Sequence, residues 1–141
     1  MVILAVDYGD ARTGVAVCDK NEILASPVGV IAEKDAARLA KKLAEAAAER
    51  KAEAVVMGLP RNMDGSEGFR AEAVRRSAAL LEEAAGLPVT LRDERLTTVS
   101  AHNYLNLADT RGKKRKQTVD AVSAVIILQE YLEYRKNRLS P

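Results

Sequence analysis

Three short apolar runs, each separated from the next by only a few polar residues, open this chain and limit its fold more than any other feature. The runs are Val2–Val6, Gly14–Cys18 and Ile23–Ile31, and their β-branched and aliphatic residues are typical of strands. The first run is apolar throughout, which predicts a strand buried on both faces. Short connections favour antiparallel pairing. Because Pro27 lacks an amide donor, the third strand is predicted to lie at a sheet edge or to be interrupted.

Helical and strand-like segments alternate after this opening. Apolar residues recur at helical spacing over Asp35–Arg50 and from about Phe69 to Ala85. Asp35 is expected to stabilise the positive N-terminal end of the first of these helices. Short strands are predicted at Ala54–Met57 and Val89–Arg92.

Two further helices are predicted near the end of the chain. The first is capped by Thr97 or Thr98 and reaches about Leu107, and the second is capped by Thr118 and covers about Val119–Tyr134. This order of elements predicts an α/β fold with a mixed five-stranded sheet: three antiparallel strands, then alternating helices and strands, flanked by helices. With 141 residues the chain is expected to form a single domain, residues 1–141.

Composition excludes several classes of protein. Lys plus Arg number 22 and Asp plus Glu number 20, so the net charge of +2 does not by itself indicate a nucleic-acid binder. With Cys18 and His102 as the only cysteine and histidine, neither an intrachain disulfide nor a Cys/His zinc cluster can form within one chain. Cys18 is most simply a small core residue. The apolar start lacks a basic leader and is too short to span a membrane, which predicts a cytoplasmic protein.

Acidic residues follow the predicted strands. Asp7 closes the first strand, Asp93 and Glu94 close the last, and Asp120 is predicted in the first turn of the final helix. Ligand sites in open α/β sheets lie outside the carboxyl ends of the strands, so these acids are placed where they can converge. Clustered carboxylates suit Mg²⁺, and two such ions about 3.5–4 Å apart can promote in-line hydrolysis of a phosphodiester.

Each acid also has a purely structural explanation. Asp7 precedes a glycine-containing turn and can bond its backbone amides. Asp93 and Glu94 can prepare the start of a helix, and Asp120 can complement a helix dipole. Function is favoured by the set of acids taken together.

Two loops and one basic segment complete the candidate site. The loop Tyr8–Gly14 has glycines near both ends, and its Arg12 can orient a phosphate or pair with Asp10. The polar loop Gly58–Gly68 follows a strand on the same side and either touches substrate or is a surface loop. Five of the six residues 111–116 are basic, which fits either salt-sensitive phosphate binding or a solvated linker.

Four segments together resemble the YqgF family, also called RuvX, whose members are RuvC-like Holliday junction resolvase homologues. The resemblance covers nearly the whole chain in order, and the segments are Leu4-Ala-Val-Asp-Tyr-Gly-Asp-Ala-Arg-Thr-Gly-Val-Ala-Val-Cys-Asp19, Val55-Val-Met-Gly-Leu-Pro-Arg-Asn-Met-Asp-Gly-Ser-Glu-Gly68, Asp93-Glu-Arg-Leu-Thr-Thr98 and Val119-Asp-Ala-Val-Ser-Ala-Val-Ile-Ile-Leu-Gln129. The chain departs from the usual family pattern at Ser100, His102 and Cys18, none of which is among the acidic positions.

The resemblance implies a ribonuclease H-like fold and a metal-dependent nuclease. Asp7, Glu94 and Asp120 match the family's acidic positions and are expected to be catalytic and to bind Mg²⁺ or Mn²⁺. The implied substrate is the 5′ end of the 16S ribosomal RNA precursor or, alternatively, a four-way DNA junction, and the protein is expected to act as a monomer or homodimer. The residues predicted to contact the nucleic acid are Arg12, Asn62, Arg95, Lys113, Lys114, Arg115 and Lys116.

Two other functions compete with the nuclease. The spacing Asp7-x-Gly9-x₄-Gly14 is similar to the first phosphate loop of actin-like ATPases, but those enzymes generally need two such domains and this chain has no second copy of the loop. A non-catalytic RNA-binding module is the other alternative, in which residues 111–116 would matter and the acids would not.

Overall fold

A computed structural model describes residues 1–60, 68–93 and 112–139, with side chains of the last helix from 121 to 138. Its elements in chain order are β1 (Ile3–Asp7), β2 (Arg12–Cys18), β3 (Ala25–Ala32), α1 (Ala36–Glu49), β4 (Ala54–Leu59), α2 (Phe69–Ala85), β5 (Val89–Asp93) and α3 (Gly112–Leu139). The helix predicted from Thr97 or Thr98 to Leu107 lies outside the described residues.

The strands form one sheet in the order β3-β2-β1-β4-β5. β1 pairs antiparallel with β2 and β2 with β3, whereas β1 pairs parallel with β4 and β4 with β5. The predicted mixed five-stranded sheet is therefore confirmed. The parallel strands end at one side of the sheet, with Asp7, Leu59 and Asp93, and we call this side the carboxyl edge and the opposite side the amino edge.

The third strand is an edge strand, as Pro27 predicts. Its pairing with β2 shifts between Val15, which lies opposite Gly29, and Ala16, which lies opposite Pro27. Val28 is thus an extra residue in a β-bulge, an irregularity common at sheet edges. Gly29 has a φ of 145°, a conformation that glycine adopts with little strain.

The two faces of the sheet carry different cores. α1 and α2 cover one face, and both the helices and the strands contribute large side chains to the core between them. These include Leu39, Leu43 and Leu81 of the helices and Leu4, Val6 and Met57 of the strands. α3 covers the other face, where the sheet contributes mainly small residues, among them Ala5, Ala16, Cys18, Ala25 and Ala54. Ile3–Val6 is fully buried between the two layers, so the first strand is buried on both faces as predicted.

The first two helices agree with the sequence pattern. The Asp35 carboxylate caps α1 by accepting a hydrogen bond from the Arg38 amide at 2.9 Å. α2 covers Phe69–Ala85, as predicted. Gly86 closes it in the left-handed conformation, with φ 67°.

The last helix begins earlier than predicted, at Gly112, so Thr118 lies inside it and does not cap it. Lysine, arginine and glutamine are good helix formers, which explains why the helix extends back through residues 113–117. It also ends later, at Leu139 and not near Tyr134. None of the helices in the described ranges, long α3 included, has a stretch apolar enough to cross a lipid bilayer.

Candidate active site

Asp7 lies at the carboxyl edge, on the face of the sheet that α3 covers. Side chains alternate along a strand, and Ile3 and Ala5 of β1 pack in the cluster shared with α3. Asp7 continues that series as the last residue of β1 and is half-buried. The structure thus places this acid where the sequence predicted it.

Glycines flank Asp7 on both neighbouring strands. Gly14 of β2 lies directly opposite Asp7. On the other side, Val6 of β1 pairs with Met57 of β4. The strands are parallel, so the next residues, Asp7 and Gly58, lie side by side. Neither neighbour has a side chain, so the two adjacent strands place none beside the carboxylate.

The loop after Asp7 is a tight turn that requires glycine. A Cβ atom at Gly9 would lie 2.0 Å from the Arg12 carbonyl oxygen, a distance that forces the backbone to move. The fully buried Thr13 closes the turn, because its Oγ1 accepts a hydrogen bond from the Gly9 amide at 3.3 Å. The backbone beside Asp7 therefore has one compact arrangement.

Two contacts hold this loop against the rest of the molecule. Arg70, in the first turn of α2, donates from Nη2 to the Tyr8 carbonyl oxygen at 3.2 Å. The Glu33 amide, just after β3, donates to the Ala11 carbonyl oxygen at 3.0 Å. The loop is thus positioned from both sides, which limits the movement of the neighbouring acid.

Arg92 belongs to the same cross-strand row, although the sequence interpretation did not select it. It lies opposite Gly58 on β5 and packs against the side of α3, so it shares a face with Asp7. The two backbones are separated by two interstrand spacings, or about 10 Å. Only the register of β4 with β5 reveals this proximity; the sequence signal was the alternation of Arg92 with Leu91 and Asp93.

The structure describes some of the other predicted site residues and not others. Arg12 begins β2 at the carboxyl edge and is half-buried. Asn62, Glu94 and Arg95 lie outside the described residues. Asp120, Lys113, Lys114, Arg115 and Lys116 lie on α3, in the part whose side chains are not described. Among the described side chains no group of three Cys, His, Asp or Glu residues could hold a metal ion, so convergence of the three acids stays a prediction.

The early start of α3 changes the interpretation of two predicted features. Asp120 lies eight residues after Gly112 and so is not in the first turn, where an acid would complement the helix dipole. That structural explanation for Asp120 is therefore wrong. Residues 112–116 are helical and do not form an irregular linker.

Cys18 is a core residue, as predicted. It is 5% exposed, and its Sγ accepts a hydrogen bond from the Ile3 amide at 3.2 Å. Burial raises the pKa of this thiol, which disfavours the reactive thiolate.

Comparison of the sequence with known proteins identifies a family and named relatives. The family model described as "RuvX: Holliday junction resolvase" matches residues 1–134. A protein of Streptomyces coelicolor named "Putative pre-16S rRNA nuclease" is 45% identical over 131 residues, which cover 92% of this chain and 78% of that protein. A protein of the same name from Geobacillus is 42% identical over 138 residues, covering 96% of this chain and 100% of the relative.

A solved structure extends the agreement to the fold. RuvC of T. thermophilus, in complex with a Holliday junction substrate, matches with a TM-score of 0.64 and 16% sequence identity over 97% of this chain and 96% of that one. This likeness confirms the ribonuclease H-like fold. The chain therefore belongs to the RuvX (YqgF) family, as its four motif segments indicate.

Proposed function

We propose that this protein is a nuclease that hydrolyses phosphodiester bonds of the 16S ribosomal RNA precursor, using Mg²⁺ or Mn²⁺ held by Asp7, Glu94 and Asp120. The observation that carries the proposal is the position of Asp7 at the carboxyl edge, facing α3 between Gly14 and Gly58. The names of the relatives support the activity and the substrate. An RNA precursor is found inside the cell, so the proposal places the protein in the cytoplasm.

Strand alternation supports the choice of Glu94. On β5, Leu91 packs in the core on the face covered by α1 and α2, whereas Arg92 faces α3. Asp93 is two residues after Leu91 on the same strand, so it belongs to the face of Leu91. Asp93 therefore belongs to the face away from Asp7, and Glu94 is the acid of this pair that we propose as the metal ligand.

The direction of α3 supports Asp120. Arg135 donates to Glu22 at the amino edge, so α3 runs from the carboxyl edge towards the amino edge. Fifteen residues separate Asp120 from Arg135, or about 22 Å of helix. The strand from Met1, which also contacts Glu22, to Asp7 covers about 20 Å. Asp120 and Asp7 therefore occupy similar levels along the interface.

Helical periodicity gives the same result. Ala124, Ile127 and Leu128 form the stripe of α3 that packs on the sheet. Asp120 precedes them by four, seven and eight residues, which assigns its position to the same stripe.

The donor set fits the proposed ions. Carboxylate oxygens are hard ligands that suit Mg²⁺ and Mn²⁺. The glycines on both neighbouring strands put no side chain beside Asp7 that would compete with the substrate phosphate. When bound, such ions activate water and stabilise negative charge that develops on the phosphate. The hydrogen bonds that Arg70 and Glu33 make to the loop after Asp7 limit the movement of this acid. Neighbouring phosphates would be bound by Arg12, Asn62, Arg95 and the basic residues 113–116.

A cleavage panel tests the proposal. Wild-type protein and the variants Asp7→Asn, Glu94→Gln and Asp120→Asn are incubated with labelled precursor RNA in Mg²⁺, in Mn²⁺ or in excess chelator. Cleavage should require metal and all three acids, and Asp10→Asn, an exposed acid in the same loop, serves as the matched control. Cleavage by Asp7→Asn, or equal cleavage in chelator, would refute the proposal.

A four-way DNA junction is the second candidate substrate, because the matching family model is described as a Holliday junction resolvase. Including such a junction in the same panel decides between the two. Faster metal-dependent cleavage of the junction than of the precursor RNA would replace the first substrate with the second and leave the chemistry unchanged.

A further inference from the structure

A groove of about 600 Å³ extends along the α3 side of the sheet from Arg92. Its walls include Gln129, Glu133, Tyr134 and Asn137 of α3. Arg92 belongs to the cross-strand row of Asp7, so the groove lies on the same face of the sheet as the candidate active site. Among the residues that the structure describes, none of the proposed catalytic acids lines this groove, so the proposed metal site does not explain why the groove is there.

Arg92 is held in position but keeps its hydrogen-bond donors. Its guanidinium carbon lies 5.4 Å from the centre of the Tyr134 ring, a cation–π contact. The Arg92 side chain makes no hydrogen bond or ion pair with the residues that the structure describes, and its Nε is buried. The guanidinium fork, which suits phosphate, thus remains available to a ligand.

Tyr134 has partners of its own. Its ring stacks on Tyr131 at 6.4 Å, and its hydroxyl accepts a hydrogen bond from Arg138 at 3.2 Å. Because the ring is 43% exposed, it presents an aromatic face at the groove beside Arg92.

The groove does not suit a simple anion or cation. Glu130 and Glu133 line it together with Arg92. Burial raises the pKa of Glu130, while the charge of Arg92 opposes that effect. Carboxylates repel a purely anionic ligand, and Arg92 repels a cationic one. A nucleotide satisfies both groups, since its phosphate is an acceptor and its base edge carries N–H donors.

We propose that one unpaired nucleotide of the substrate strand occupies this groove, with its phosphate on Arg92 and its base edge facing Glu133, Gln129 and Asn137. The inference rests on the proposed nuclease function and adds a feature of the substrate: the strand is single-stranded several nucleotides from the cleaved bond. Gln129 and Asn137 follow Asp120 on α3 by nine and seventeen residues, or about 14 and 26 Å of helix, so this nucleotide lies towards the amino edge from the reacting phosphate.

The test measures binding without cleavage. Asp7→Asn protein is titrated with a fluorescent single-stranded RNA of twelve nucleotides, and anisotropy gives the Kd between about 50 and 200 mM KCl, a fourfold range that includes physiological ionic strength. Adding Arg92→Ala should weaken binding about tenfold and lower the salt slope by about 0.7, the value for one phosphate contact on a single strand. Arg92→Lys should keep the slope but not the full affinity.

Controls separate the groove from general charge. Arg76→Ala removes an exposed charge from α2, which packs on the opposite face of the sheet, and should leave both Kd and slope unchanged. In a series of RNAs with one base removed at successive positions, a single position should weaken binding, and Glu133→Ala should abolish that sensitivity. Thermal unfolding of each variant confirms folding.

The outcomes distinguish this inference from the function on which it rests. Equal salt slopes for Arg92→Ala and Arg76→Ala, or no RNA position sensitive to base removal, would overturn the nucleotide site and leave the groove to a protein partner. Failure of the proposed function looks different: RNA would not bind even with Arg92 intact, or cleavage would not depend on Asp7.

Discussion

The two ends of the interface between α3 and the sheet are built in opposite ways. At the amino edge, the Met1 amine donates to the Lys20 carbonyl at 2.9 Å and to Glu22 at 3.0 Å, and Arg135 donates to Glu22 at 2.6 Å. At the carboxyl edge, glycines flank Asp7 on both neighbouring strands. One end therefore anchors the helix, and the other, which we call the open end because its strands place no side chain beside Asp7, holds the proposed site.

The anchored end compensates for local strain. Glu22 has a φ of 57°, a left-handed conformation that costs a non-glycine residue about 1–2 kcal/mol. Its carboxylate joins the chain terminus to α3, and charge-assisted hydrogen bonds of this kind are among the stronger ones. The neighbouring Asp19 carboxylate accepts from the amides of Ile23 and Leu24, which lowers its pKa and fixes the turn. This hydrogen-bond network thus lies at the edge that the proposed chemistry does not use.

The largest expected effect is on catalysis at the open end. Asp7→Asn should lower the rate of RNA cleavage by about 10³-fold, because an amide cannot replace a carboxylate as a metal ligand. The midpoint of thermal unfolding should stay within a few degrees of wild type. Steady-state cleavage and thermal unfolding measure the two quantities, and a large loss of stability with little loss of rate would reverse the comparison between the two ends.

Gly9→Ala should have the next largest effect. The new methyl group would meet the Arg12 carbonyl oxygen, so the loop beside Asp7 must shift, and a displacement of about 1 Å can cost about 100-fold in rate. Gly86→Ala is the matched control, because its left-handed φ predicts a loss of about 1–2 kcal/mol at a site with open space around it. If both variants lowered the rate equally, the loop would have no special role.

Glu22→Gln should affect stability and leave the cleavage rate unchanged. Loss of the charged partner of Arg135 is expected to lower the free energy of unfolding by about 1–2 kcal/mol near neutral pH. The hydrogen bond from Arg135 lowers the pKa of Glu22 below its ordinary value of 4.5, so its stabilisation is present above that pH and is lost as the pH falls through the lowered value.

Urea unfolding at several pH values measures this effect. Wild type should lose stability more steeply below about pH 4.5 than Glu22→Gln, because the variant lacks the titrating carboxylate. Glu49→Gln, on the exposed face of α1, is the control and should retain the wild-type acid dependence. Parallel curves for wild type and Glu22→Gln would show that the network does not anchor the helix.

The smallest effect is expected for an exposed ion pair near the open end. Lys42 lies 2.9 Å from Glu33, and 47% of the Lys42 side chain is exposed, so solvent screens the pair. Lys42→Gln should change the unfolding midpoint less than Glu22→Gln does, and added salt should remove the difference. A larger effect than that of Glu22→Gln would contradict the contrast between the two edges.

The sequence predicted local structure well where one pattern controlled it. Alternation and helical spacing located all five strands and both early helices, and Asp35 and Pro27 acted as their chemistry predicts. The start of α3 was missed, because Thr118 resembled a cap while the helix propensity of the basic residues before it prevailed. A capping residue starts a helix only where the residues before it do not favour the helical conformation themselves.

Local patterns of the chain predict the type and order of the elements, the acid that ends β1 and membership of the RuvX family, since these depend on residues close together in the chain. The folded structure was needed to show that Gly14, Asp7, Gly58 and Arg92 form one row, and that Glu22 joins Met1 to Arg135. The reason is that strand register and helix direction arise from contacts between distant segments, whose alignment no local pattern records.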